Sequence, residues 1–246
     1  MIHVTWLSAF NACPYLSSQP MQPLHPEKTY RWDMLNVVVC SWDETLISPF
    51  VKRFAKNIGF DFKEIEITKL IYQEAKKKII DIKSKHKQVY QEAKMYYKYS
   101  EEYFVCGTPD IFFYDEEKQL WCIRDWKFST HSRYWNEDVT KTDMQKVIYP
   151  LMVMQYMEVQ EAEFAFRCYD KKTWKLGEFA SKITYDEAKK QADKVIAEYI
   201  MSKEFGEFEP RACNKCHGMC SVGMKNCPLY KTEVSSEKKD EEIWDF

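Results

Sequence analysis

The stretch that decides the fold runs from Tyr103 to Thr130, YFVCGTPDIFFYDEEKQLWCIRDWKFST. Aromatic and β-branched residues crowd Phe104-Val105, Ile111-Phe112-Phe113-Tyr114 and Leu120-Trp121-Cys122-Ile123, the composition of strands. Asp115-Glu116-Glu117-Lys118 between them is a polar, turn-like cluster. The reading is a hairpin of two short apolar strands, with Asp110 on the first and Asp125 on the second. A hairpin brings its ends together, so the two carboxylates can face each other. Side chains alternate along a strand, which puts Asp125 and Lys127 on one face and Trp126 on the other. Carboxylates are the usual ligands of a hard divalent cation such as Mg²⁺. A lysine beside such a cation can orient or deprotonate an attacking water.

Asp-Trp-Lys alone is a common tripeptide, and charged strand ends are usually solvated, so the surroundings carry the argument. Gly107-Thr108-Pro109-Asp110 supplies a tight backbone before the first carboxylate. Eighteen residues after Lys127 comes Gln145-Lys-Val-Ile-Tyr149 in a helical context, where residues four apart share a face.

Gly107-x-x-Asp110, Asp125-Trp126-Lys127 and Gln145-x-x-x-Tyr149 together resemble the PD-(D/E)xK nuclease superfamily. The resemblance is to its RecB-like branch, which includes the AddB nuclease domain and the CRISPR-associated RecB-like exonucleases. It implies an α/β, restriction-endonuclease-like core with a mixed central sheet of four to five strands flanked by helices. It implies a DNA nuclease in which Asp110, Asp125 and the backbone carbonyl of Trp126 bind Mg²⁺ or Mn²⁺. Lys127 would position or activate the water, and Gln145 and Tyr149 would bind substrate and hold the site. The family leaves 5′-phosphate and 3′-hydroxyl ends. It usually adds a metal ligand, commonly histidine, on a helix upstream, and no histidine here matches clearly. His86 lies in a basic run near a helix end. Glu74, on a helix with apolar periodicity, could supply an oxygen instead, although a surface glutamate is the plainer reading of it. Glu92 is a weaker candidate for active-site work.

At 246 residues the chain suits one domain, and a hydrophobic fraction of 45% suits a packed core. No apolar run approaches the roughly 18 residues of a membrane span. MIHVTWLSAFNACPY lacks the basic start and unbroken apolar core of a signal peptide. The expectation is a soluble, cytoplasmic protein, in the host cytoplasm if phage-encoded. A formal net charge of −2 means that nucleic-acid contact must come from local basic patches.

The chain has nine cysteines. Cys40, Cys106, Cys122 and Cys168 sit singly in apolar settings and read as small buried residues. Cys213, Cys216, Cys220 and Cys227 crowd near the C-terminus, which in a reducing compartment argues for metal rather than disulfides. Four local cysteines could bind structural Zn²⁺. The alternative comes from the resemblance. Ser8-x-x-x-x-Cys13-Pro14-Tyr15 is similar to the N-terminal segment of AddB-like nucleases, in which that cysteine joins three C-terminal ones around a [4Fe–4S] cluster. That implies Cys13, Cys213, Cys216 and Cys227 as ligands, with Cys220 surplus or an alternative. The site would be structural and would staple the chain ends together.

The rest of the chain falls into recognisable segments. Residues 29–84 read as mainly helical, with a basic run from Lys76 to Lys87 that is either a solvated face or a phosphate-backbone contact. Residues 88–104 enter the sheet. Residues 128–142 form a loop whose aromatics could stack on bases or pack among themselves. A helix runs from Thr142 to about Val159 with Pro150 inside it. Two strands follow at 162–169 and 173–183. Thr184 with Glu187 makes a capping box for a helix over 184–203. The domain reading is one nuclease domain over 1–230, with helical region 29–90 inserted before the catalytic hairpin 103–130, and an acidic flexible tail over 231–246. The functional expectation is an exonuclease on single strands or duplex ends, in recombination and repair, CRISPR adaptation or phage DNA metabolism. A separate helicase or integration protein is a candidate partner. The competing expectation is a catalytically silent nucleic-acid-binding or assembly module on the same fold.

Overall fold

The structure is a computed structural model, and it describes residues 1–18, 74, 76–129, 143–170, 176–211 and 227–229. The chain opens with β1 (Ile2–His3), α1 (Val4–Ala12) and α2 (Pro14–Ser18). A helix over 76–85, here α3, precedes β2 (Val89–Gln91), β3 (Met95–Lys98) and β4 (Phe104–Gly107). Then come β5 (Ile111–Asp115), β6 (Leu120–Ser129), α4 (Gln145–Met157), β7 (Glu161–Asp170), β8 (Leu176–Thr184) and α5 (Tyr185–Phe205).

The strands form two mixed sheets. One has five strands in the order β2-β5-β6-β7-β8, with β6 and β7 parallel and the other pairs antiparallel. The other has three strands, β1-β4-β3, with β1 parallel to β4. The expected hairpin is β5-β6. Its turn is held by Asp115 Oδ1, which accepts from the N–H groups of Glu117 and Lys118. Gln119 closes it in the left-handed region at φ 51°.

One expectation is corrected here. Phe104-Val105 and Ile111–Tyr114 belong to different sheets, and Asp110 is not on a strand. It sits on the step where the chain leaves β4 and enters β5. Pro109 lacks an N–H and cannot continue a ladder, which gives the break a local cause. A second crossing, from β2 to β3, lies beside the first. There the Glu92 N–H donates to the Asp110 carbonyl at 3.0 Å, with Glu92 at φ 51°.

Helix α4 passes between the sheets. Every residue from Val147 to Met154 is buried, so the helix is apolar all round rather than on one stripe. It runs unbroken through Pro150 and stops at Glu158 in the left-handed conformation. Thr142, the expected cap, lies outside the described residues. The N–H of Gln145 is instead accepted by Asp143 Oδ1 at 2.9 Å. The main core gathers Leu7 and Phe10 from α1, Tyr97 and Val105 from the small sheet, and Phe112, Ile123, Phe164 and Phe166 from the large one, around α4 and the inner face of α5. A second cluster puts Ile79 and Ile82 of α3 on the other face of the large sheet, against Ile111, Phe113, Cys122 and Trp126. The capping box of α5 forms as read, with Thr184 and Glu187 bonded reciprocally.

No described helix is long and apolar enough to cross a membrane. Of the expected helical region 29–90, residues 29–73 and 75 lie outside the described residues, as do the loop 130–142 and the tail.

Candidate active site

The site forms because β6 outruns β5. The β5 pairing on β6 ends at Ile111↔Arg124, while the β7 pairing continues to Ser129↔Asp170. From Asp125 onward, one edge of β6 therefore has no strand beside it among the described residues. Asp110 fills part of that gap, where its Oδ2 accepts the Trp126 N–H at 2.6 Å. A strand residue's N–H and C=O leave on the same side, so the Trp126 carbonyl lies on the Asp110 edge too.

Asp125 and Lys127 share the face that meets α4, and Trp126 turns to the opposite face with α3. The Lys127 ammonium contacts Asp125 Oδ2 at 2.5 Å and donates to Gln145 Oε1 at 2.6 Å. Gln145 Nε2 donates to the Tyr149 hydroxyl at 3.1 Å. The spacing of four on α4 thus puts Gln145 and Tyr149 in one hydrogen-bonded line with Lys127. The Tyr149 ring in turn lies close against Gly107, the first residue of the Gly-x-x-Asp run. The structure thus brings Asp110, Asp125, Lys127, Gln145 and Tyr149 together.

Electrostatics follow from burial. Asp125 is 3% exposed. Burial pushes the Asp110 carboxyl well above the ordinary aspartate range, and the Asp125 charge adds to it; Lys127 and the Trp126 N–H pull the other way. Burial also pushes Asp125 up, against the pull of Lys127. Burial alone would lower Lys127, but Asp125, Asp143 and Asp110 outweigh it and hold the ammonium above the usual lysine range. Without a metal, Lys127 is therefore a cation at neutral pH. Burial likewise raises the Tyr149 hydroxyl, which stays a neutral donor and acceptor.

The donor set fits a hard divalent cation in kind. Two carboxylates repel each other in a poorly hydrated place, and a backbone carbonyl stands on the same edge. A cation between them would relieve that repulsion. Among the described residues, no three His, Cys, Asp or Glu side chains converge on one point. Glu74 is exposed on its helical turn. His86 is taken up at the turn end of the hairpin, bonded to Glu116 at 3.0 Å and laid on Phe113, three residues or about 10 Å of strand from Asp110. Glu92 lies near enough for its charge to raise Asp110. Asp143, which the sequence reading missed, acts on both Asp125 and Lys127. An aspartate just before a helix start was a signal for a cap, not for this neighbourhood.

Of the cysteines expected at a metal site, Cys13 and Cys227 are described and both are buried. Cys213, Cys216 and Cys220 lie outside the described residues. The Arg211 N–H donates to Cys13 Sγ at 3.4 Å, and its guanidinium reaches the Asn11 carbonyl at 3.3 Å. The segment after α5 therefore returns to the joint between α1 and α2.

No protein-family model matches the chain, and no curated protein matches it. Solved structures do. A protein from Eubacterium rectale named "Putative exonuclease" superposes with a TM-score of 0.51 at 14% identity, over 99% of this chain and 90% of its own. A structure named SSO0001 gives a TM-score of 0.44 at 16% identity, over 93% of this chain and 86% of its own. At such identity, the first likeness is one of fold: the chain is built like a protein named as a nuclease.

Proposed function

We propose that the chain is a metal-dependent DNA nuclease of the RecB-like type, acting as an exonuclease on single strands or duplex ends. The observation that carries this reading is the convergence of Asp110, Asp125 and Lys127 at the edge of β6 beyond the end of β5, with Gln145 and Tyr149 behind them. The fold shared with a protein named as an exonuclease supports it.

In this reading Asp110, Asp125 and the Trp126 carbonyl hold Mg²⁺ or Mn²⁺. The ion, when bound, supplies positive charge to the scissile phosphate and the leaving oxygen. Lys127, held as an ammonium, orients the attacking water and adds charge where the transition state becomes more negative. Gln145 keeps Lys127 from collapsing onto Asp125 alone. The water oxygen bonds to phosphorus and gives up a proton to solvent, the bond from phosphorus to O3′ breaks, and O3′ takes a proton from solvent to leave as a hydroxyl. The ends are then 5′-phosphate and 3′-hydroxyl. The lysines of α3 contact the phosphate backbone and carry no sequence information.

The chain ends, joined at Cys13, hold a [4Fe–4S] cluster ligated by Cys13, Cys213, Cys216 and Cys227; Cys220 and structural Zn²⁺ are the alternatives. The return of Arg211 to Cys13 supports that placement, since Cys213 follows two residues later. Iron, sulfide and zinc analysis of anaerobically purified protein decides between them. The setting is the cytoplasm, or that of a host cell, with a separate helicase or recombination protein as partner.

A second reading keeps the fold without the chemistry, as a nucleic-acid-binding module. The lack of a third converging side-chain ligand among the described residues favours it. End-labelled single-stranded and duplex DNA, incubated with Mn²⁺, Mg²⁺ or chelator beside Lys127→Ala, separates the two. Metal-dependent cleavage lost in the variant supports the nuclease. Binding without turnover, in folded and metal-supplied protein, supports the module.

A further inference from the structure

Ser8 of α1 and Asp143 are 135 positions apart, yet the Ser8 hydroxyl donates to Asp143 Oδ1 at 2.8 Å. The same hydroxyl oxygen accepts the Met144 N–H at 3.1 Å. Asp143 Oδ1 also accepts the Gln145 N–H at 2.9 Å. These bonds fix the first turn of α4, and Gln145 is its first residue. The Gln145 side chain then takes the Lys127 ammonium at 2.6 Å. An unbroken line of hydrogen bonds therefore runs from the N-terminal helix to the lysine of the site.

A helix cap is the ordinary explanation of an aspartate at this position. Two observations exceed it. A plain cap needs no second element, whereas here a serine from another helix braces both Asp143 and the next N–H. The capped residue is also the one that grips Lys127, and the Asp143 charge reaches Lys127 and Asp125. We propose that Ser8 and Asp143 are positioning residues, a clasp through which α1 sets Gln145 and so places the Lys127 ammonium for catalysis. The proposal rests on the nuclease reading. It also gives α1 a place in the site, since the helix carries Ser8 along its length and Cys13 at its end.

The test compares wild type, Lys127→Ala, Ser8→Ala, Ser8→Thr, Asp143→Asn and Asp143→Ala in steady-state cleavage, with amide hydrogen exchange over residues 144–149. Ser8→Ala is expected to lower kcat about ten- to a hundredfold, the cost of a small misplacement in a catalytic site, with KM within about twofold. Its Tm stays close to wild type, while exchange at Met144 and Gln145 quickens. Ser8→Thr, which keeps the hydroxyl, recovers most of the rate. Asp143→Asn, which keeps an acceptor oxygen, loses less than Asp143→Ala, and this pair stands in if Ser8→Ala does not fold. Wild-type kcat in Ser8→Ala overturns the clasp. So does a loss that Ser8→Thr fails to recover while Tm falls in both, since that pattern marks packing. An inactive wild type overturns the nuclease reading itself, whereas an active wild type beside inactive Lys127→Ala leaves that reading standing whatever Ser8 does.

Discussion

A Cβ placed on Gly107 would stand 2.6 Å from Cε1 of Tyr149 and 2.9 Å from Cγ2 of Val4. The glycine of Gly-x-x-Asp is there because an aromatic ring lies on its backbone, and that ring also holds Gln145. Gly107→Ala should therefore destabilise the fold by about 1–3 kcal/mol, the usual cost of overpacking a core. It should also slow cleavage, because Tyr149 must move. Urea unfolding checks the first point: the midpoint should fall with the slope unchanged. A midpoint equal to wild type would mean that Val4 and Tyr149 yield at no cost.

Asp110→Asn should separate stability from activity. The raised Asp110 carboxyl marks a charge held at a cost in the metal-free protein, where burial and Asp125 both oppose it. Because its folded pKa lies above the unfolded one, its contribution is most favourable in acid and is lost as pH rises through the folded value. Asparagine keeps an oxygen for the Trp126 N–H and drops the charge. At neutral pH without divalent metal, Tm is expected to rise by about 2–4 °C, as roughly 1 kcal/mol gives at this size. Cleavage should vanish, and added Mn²⁺ should raise the Tm of wild type but not of the variant. Calorimetry with and without Mn²⁺ reads both effects.

Tyr149→Phe removes one hydroxyl and leaves Gln145 Nε2, now buried, without that acceptor. The expected cost is about 1–2 kcal/mol of stability. A double-mutant cycle with Gln145→Ala should return a coupling of at least about 0.5 kcal/mol, as neighbours in one network do. Strict additivity would show that the bond does not form in solution.

Glu163 accepts from Lys118 at 2.9 Å and from Arg124 at 2.5 Å on the opposite face of the sheet. Burial pushes its carboxyl up, but Lys118 and Arg124 prevail and hold it below the ordinary glutamate value. A depressed folded pKa gives stability that is present above the unfolded value and lost as pH falls through the folded one. Glu163→Gln should thus lower Tm at neutral pH, and the gap to wild type should close in acid. Glu163→Ala should cost about 3 kcal/mol, because Arg124, 4% exposed, loses its closest carboxylate. A pH series of thermal melts tests the sign.

Much of the fold was legible because local chemistry specified it. The aromatic and β-branched runs became β5 and β6, the acidic cluster between them became the turn, and Thr184 with Glu187 closed the capping box. The break at Thr108–Asp110 was harder to read. Pro109 announces that a ladder ends, but nothing nearby says that the chain changes sheets there. α4 shows no single apolar stripe for a related reason: packed between two sheets and α5, it has buried apolar residues on every side.

Local sequence is enough to name the groups the chain brings together: Asp110, Asp125 and Lys127 on or beside strands, and Gln145 and Tyr149 one helical turn apart. Strand and helix periods are local, so these placements follow from short spans. Long-range packing sets the rest: Asp110 bonds the backbone of Trp126, Ser8 braces Asp143 across 135 positions, and His86 is spent at the far end of the hairpin. Packing sets the charge of Lys127 as well. That depends on burial opposed by three carboxylates from separate segments, and the field at one atom sums contributions that no stretch of sequence contains.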